Sequence, residues 1–116
     1  MPEKYIYVFV RQDISLPQQL VQSNHASILL SQTHKIEGTP NLILIGVRDI
    51  CELENVRYRL LGSGYDFVMW SEPDYDMGET AIATVPLDQS QRMIFSQYRL
   101  WVPLSPCSLS AERPAA

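Results

Sequence analysis

The chain has 116 residues, 46% of them hydrophobic, and a net charge of −4. This length predicts a single domain with its own core. Scattered basic residues and a negative net charge argue against binding nucleic acid through bulk charge. No apolar run approaches the roughly 20 residues that a membrane helix needs, so we expect no membrane partner. The first residues lead straight into a strand pattern, which does not fit a leader peptide.

The two cysteines indicate the redox setting. Cys51 and Cys107 lie far apart and match no paired spacing of a metal site. Since no secretory signal is visible, reduced thiols and a cytoplasmic location are expected. We expect no cofactor and no metal.

The first half of the chain alternates strand and helix patterns. An apolar run at residues 5–10 is typical of a strand buried on both faces. Ser15 can cap a helix that we predict over residues 17 to about 31. A loop at residues 33–41 then leads to a second buried strand at residues 42–47. The apolar stripe of the helix is expected to consist of Leu20, Val21, Ile28 and Leu29.

The second half repeats the pattern and then turns back. Asp49 is the expected cap of a second helix, with Gly62 as its left-handed C-terminal residue. A strand, an acidic loop and another strand are predicted at residues 67–70, 71–79 and 80–85. A last short helix is predicted from Asp88 to about Tyr98.

This order of elements, β-α-β-α-β-β-α, predicts an α/β fold with a small four-stranded mixed sheet between helices on both faces, a three-layer α/β/α architecture. The second and third strands should be parallel because a helix connects them. The short return from the third strand favours an antiparallel fourth. A ferredoxin-like arrangement is the alternative. Residues 1–102 form the expected domain, and residues 103–116 read as a flexible tail.

Polar side chains gather where the first strand passes into the first helix, at Arg11, Asp13 and His25. The crevice beyond the carboxyl ends of strands usually holds ligands in open α/β sheets. Arg11 could bind an anion there or form an ion pair with Asp13, which could also brace the turn. His25 could be a hydrogen-bonded residue at the edge of the core or a group that transfers protons.

The acidic loop supplies candidate carboxylates. Glu72 or Asp74 would point into the same crevice, although a solvated charge run is the simpler interpretation. Carboxylates crowded together raise one another's pKa, which can create a general base. Asp74, Asp76 and Gly78 are spaced as in a calcium loop, yet the later ligands of such a loop are missing.

Three segments of the chain are similar to motifs of one family. Residues 11–14, R-Q-D-I, are similar to a strand end R-x-D-L, and residues 22–26, Q-S-N-H-A, to a helix motif Q-x-x-H-A. Residues 80–83, T-A-I-A, are similar to a strand T-V-L-A that follows an aspartate-bearing loop. Over roughly residues 4–101 the chain thereby resembles the type 2 peptidyl-tRNA hydrolases, whose fold is α/β/α.

The resemblance implies an activity and a set of residues. That family hydrolyses the ester between a peptide and the terminal ribose of tRNA, so tRNA or another nucleotide-bearing ester is the implied partner. Water would attack the carbonyl, activated by Asp74, or by Asp76 in an alternative alignment. Thr80 would hydrogen-bond the water or substrate, and His25 would support the site. The implied substrate-binding residues are Arg11, Asp13, Gln18 and Gln22.

Two departures from the family pattern leave other functions open. The family's lysine is replaced by Gln18, and the basic residue of its D-A-G-R-T motif by Glu79. Both losses remove positive charge, which favours a non-catalytic module that binds a nucleotide, an RNA end or a protein. A third alternative is a homodimer formed through an apolar patch of Trp70, Leu100 and Trp101.

Overall fold

The computed structural model describes residues 2–104 of the chain. The predicted tail therefore lies outside the described residues from 105 onward, as does Cys107, whereas Cys51 is a free, exposed thiol. The described elements are strand β1 (Tyr5–Arg11), helix α1 (Leu16–Thr33), strand β2 (Asn41–Val47), helix α2 (Ile50–Ser63), strand β3 (Phe67–Glu72), a 3₁₀ turn (Asp74–Asp76), strand β4 (Gly78–Thr84) and a 3₁₀ segment (Gln89–Phe95).

The four strands form one mixed sheet in the order β2-β1-β4-β3. β1 is parallel to β2, because α1 connects them, and antiparallel to β4. β3 and β4 are antiparallel neighbours, as their short connection predicts. β3 consequently runs in the same direction as β2, but β1 and β4 lie between them. The predicted four-stranded mixed sheet is confirmed.

β1 forms the centre of both layers of the core because its side chains alternate across the sheet. Tyr7 and Phe9 point into a cluster with α2 and the 3₁₀ segment. Val8 and Val10 point to the other face and pack with Ala26 and Leu30 of α1. Helices therefore cover opposite faces of the sheet, which confirms the α/β/α layers and excludes the alternative with both helices on one face.

The predicted apolar stripe of α1 is wrong. Leu20, Val21 and Ile28 are about half exposed, and the face turned to the sheet consists of Gln19, Gln22, Ala26 and Leu30. The inward glutamines are tolerated because their amides are hydrogen-bonded. The predicted start is confirmed, since the Ser15 side chain accepts from the Gln18 backbone N–H.

Several boundaries differ from the sequence interpretation. α2 begins after Asp49, the predicted cap, but continues past Gly62 to a left-handed Gly64 with φ 75°. Both strands flanking the acidic loop are longer than predicted, because β3 and β4 keep pairing out to Glu72 and Gly78. The predicted last helix is instead the 3₁₀ segment, which Asp88 caps as expected.

A C-terminal strap, residues 99–102, covers the outer edge of β2. The Trp101 backbone N–H donates to the Leu44 carbonyl at 2.8 Å, and its indole Nε1 donates to Gln19 Oε1 at 2.7 Å. Gln12 Nε2 donates to the Val102 carbonyl at 2.8 Å. A Cβ on Gly46 would lie 2.1 Å from Gln12 Oε1, so any other residue at position 46 would displace the Gln12 side chain.

The residues proposed for an apolar dimer patch are not free on the surface. Trp70 and Trp101 pack against the α1 side of the core, and Leu100 packs against the α2 side. The large hydrophobic side chains exposed on the α1 surface are instead Leu16, Leu20, Val21 and Ile28.

Candidate functional site

Arg11, the last residue of β1, ties two segments to the strand end. Its Nε and Nη2 donate to the two carboxylate oxygens of Asp13 at 2.8 and 2.9 Å. Its Nη1 donates to the carbonyls of Met77 and Glu79 at 2.6 and 3.0 Å. The side chain is 12% exposed. The ion-pair interpretation of Arg11 is confirmed, and the guanidinium fixes the end of the 3₁₀ turn against β1.

A polar cluster of Gln18, Gln22, Glu72 and Thr80, which we call the Gln22 cluster, joins α1 to β3 and β4. Thr80 Oγ1 donates to Gln22 Oε1 at 2.9 Å. Gln22 Nε2 donates to Glu72 Oε1 at 2.8 Å and to Gln18 Oε1 at 3.0 Å. Gln22 and Thr80 have no exposed surface. Both therefore act by holding Glu72 and Gln18, which are partly exposed.

Glu72 is held in its ionised form. The hydrogen bond from Gln22 lowers the pKa of the Glu72 carboxyl below its usual value, and the backbone N–H of Asp74 and the nearby His25 act in the same direction. The expectation that crowding raises the pKa in this loop is wrong for Glu72, because the N–H donors stabilise its charge. Glu72 is thus an acceptor that stays charged at neutral pH.

This shift predicts a pH dependence of stability. Because folding lowers the pKa of Glu72, the unfolded chain binds its proton more readily, and stability rises with pH. The stabilisation should be complete above about pH 5 and fade as the pH falls below about 4. We expect urea unfolding at several pH values to show a difference between wild type and Glu72→Gln that shrinks over this range. In a Gln22→Leu background the difference should be smaller above about pH 5, where Glu72 is ionised. An equal difference there would contradict the assignment.

His25 is held by ring stacking. Its imidazole lies 4.5 Å from the Trp70 ring, with 17° between the planes. Within residues 2–104 the imidazole makes no hydrogen bond to the backbone. The hydrogen-bonded interpretation of His25 is therefore not what the structure shows. Trp70 Nε1 is buried and has no hydrogen-bond partner in the same range. His25 lies on the Glu72 side of α1 and is partly exposed.

A groove of about 500 Å³ opens between the first turn of α1 and the 3₁₀ turn. Gln18 lines this groove and also belongs to the Gln22 cluster, so it connects the two. Of the two candidate aspartates, Asp76 lines the groove, whereas Asp74 is exposed beside it. The lining residues are Arg11, Ile14, Ser15, Gln18, Tyr75, Asp76 and Met77.

Gln18, Gln19 and Gln22 of α1 differ in whether a side-chain amide N–H group remains to donate to a ligand. Gln19 Nε2 donates to the Ile14 carbonyl at 2.9 Å, and both N–H groups of Gln22 are used inside the cluster. Gln18 uses its oxygen to accept from Gln22, and its Nε2 makes no hydrogen bond within residues 2–104. Gln18 thus brings a neutral donor to the groove.

Within residues 2–104, no three His, Cys, Asp or Glu side chains come together in a way that could hold a metal ion. None of the helices in this range is both long enough and apolar enough to cross a bilayer.

No protein-family model and no curated protein matches this sequence.

Proposed function

We propose that this protein hydrolyses the ester between a peptide and the terminal ribose of tRNA, or a related ester, by direct attack of water. One observation supports this above all: Gln18, oriented by the buried Gln22, shares a groove with the carboxylate of Asp76. A hydrogen-bond donor and a carboxylate facing one open groove are the minimum that such a reaction needs.

The chemistry follows from these two groups. The carboxylate orients a water molecule and accepts its proton as the water oxygen bonds to the ester carbon. Gln18 Nε2–H donates to the carbonyl oxygen, where negative charge develops. The C–O bond to the ribose then breaks, and the proton passes to the ribose oxygen. A neutral amide stabilises the oxyanion less than a lysine, so we expect turnover roughly a hundredfold slower than with the charged residue.

The acid is either Asp74 or Asp76, and we favour Asp76 because it lines the groove. The test compares ester hydrolysis by wild type, Asp74→Asn and Asp76→Asn. Asparagine suits both positions, since it tolerates the left-handed backbone that Asp76 adopts, with φ 53°. His25→Ala tests the supporting role implied by the family resemblance. Activity that survives all three changes would show that these groups do not carry the reaction.

A second candidate function is binding without turnover, and the state of Arg11 favours it. The cation of the groove is already paired with Asp13 and two carbonyls, while Asp76 adds negative charge. Such a module would take a nucleotide, an RNA end or a protein. Its signature would be a ligand-induced rise in Tm without any product.

Two further expectations remain proposals. A homodimer would use the exposed apolar surface of α1, which consists of Leu16, Leu20, Val21 and Ile28. None of the 18 residues of α1 is Asp, Glu, Lys or Arg. Contact through this helix would therefore keep charged groups of the two copies, each of net charge −4, apart. Light scattering would reveal the dimer, and a monomer at all concentrations would exclude it.

A cytoplasmic location is proposed as well, because the spacing of the two cysteines favours reduced thiols.

A further inference from the structure

The 3₁₀ turn beside the groove contains two non-glycine residues in the left-handed region. Tyr75 has φ 59° and ψ 21°, and Asp76 has φ 53°. For a bulky residue such as tyrosine this conformation is strained, and such strain is characteristic of functional sites. A glycine at position 75 would adopt it freely.

Two hydrogen bonds hold the backbone of the strained turn. Arg11 Nη1 donates to the Met77 carbonyl, and the Met77 backbone N–H donates to the Asp74 carbonyl at 3.3 Å. These bonds hold the backbone, not the Tyr75 side chain, which is 81% exposed. The ring contributes to neither core cluster and lines the groove. The turn thus fixes the backbone of a residue that brings an exposed aromatic ring to the groove.

We propose that Tyr75 is a stacking platform for the base of a nucleoside whose sugar carries the ester, a proposal that rests on the proposed function. Bases stack on exposed aromatic rings regardless of their identity. The charges at the groove disfavour a phosphate at the sugar position that carries the ester, because Arg11 is paired with Asp13 and Asp76 is acidic. The chemistry that fits is a nucleoside with no phosphate at that position, either free or at the 3′ terminus of an RNA.

The experiment compares Tyr75→Gly with Tyr75→Phe. Tyr75→Gly removes both the ring and the strain, so we expect its Tm to rise while the KM for the ester rises roughly tenfold. Its kcat should change less than twofold, because the water and oxyanion groups are untouched. Tyr75→Phe keeps the ring and should keep the wild-type KM. A merely structural role would not separate stability from KM in this way.

Direct binding separates this inference from the proposed function. Adenosine, adenosine 3′-monophosphate and a short RNA ending in unphosphorylated adenosine are titrated by calorimetry into wild type and Tyr75→Gly. We expect adenosine 3′-monophosphate to bind more weakly than adenosine. If the RNA binds more tightly than adenosine, the ligand is an RNA end. Tyr75-dependent binding without hydrolysis would overturn the proposed function alone. An unchanged KM, or no adenosine binding by wild type at millimolar concentration, would overturn the inference.

Discussion

Replacing Gln22 with leucine is expected to lower kcat/KM for ester hydrolysis about a hundredfold. Gln22 has no exposed surface, so the loss would not come from a missing contact with substrate. It would come from Gln18, whose amide orientation depends on the hydrogen bond from Gln22 Nε2. The measurement is steady-state hydrolysis at saturating and at low ester concentration.

Gln19→Leu is the matched control. Gln19 lies on the same helix, is 6% exposed, and is also hydrogen-bonded, but its partners are the Ile14 carbonyl and Trp101 in the strap. Both substitutions remove a buried amide, at a cost of about 1–3 kcal/mol in unfolding free energy. We expect only Gln22→Leu to lose activity. Equal losses of activity would mean that the Gln22 cluster has no special role.

Replacing Phe95 with alanine is expected to lower the free energy of unfolding by about 3–5 kcal/mol. Phe95 is fully buried, and its ring centroid lies 4.4 Å from that of Tyr7 and 5.7 Å from that of Phe9. Truncation would leave a cavity in the larger core cluster and release the 3₁₀ segment from the sheet. Urea unfolding measures the effect.

Met93→Ala is the control for this prediction. Met93 belongs to the same 3₁₀ segment, two residues away, but is 79% exposed. Its truncation also removes apolar side-chain atoms but opens no cavity, so we expect a change within about 0.5 kcal/mol. A similar loss in both variants would show that the segment does not dock through Phe95.

β1 and β2 were predictable as strands because they are continuous apolar runs. The strand directions were predictable from the connections, since a helix joins β1 to β2 and a short loop joins β3 to β4. α1 shows where hydrophobic pattern fails. Its leucines and valine at positions 16, 20 and 21 are outside, and Gln19 and Gln22 are inside. Hydropathy alone cannot predict this orientation, since the inward face depends on hydrogen-bond partners supplied by Glu72, Thr80 and Trp101, which lie far along the chain.

The site was predictable in part. The ion pair of Arg11 with Asp13 was one of the two interpretations of Arg11 that the sequence allowed, and the structure has it. The platform at Tyr75 was missed, because a left-handed backbone at a tyrosine leaves no mark in composition or periodicity. The sequence signal closest to this feature was the turn-forming run of residues 72–79.

We propose that the groove beside the Gln22 cluster turns over an ester. The most direct measurement is the release of free tRNA from N-acetylated aminoacyl-tRNA by the purified protein, compared with buffer alone. We predict saturable hydrolysis above the spontaneous rate. Tight binding of the intact ester with no release of tRNA would contradict the claim and leave a binding module.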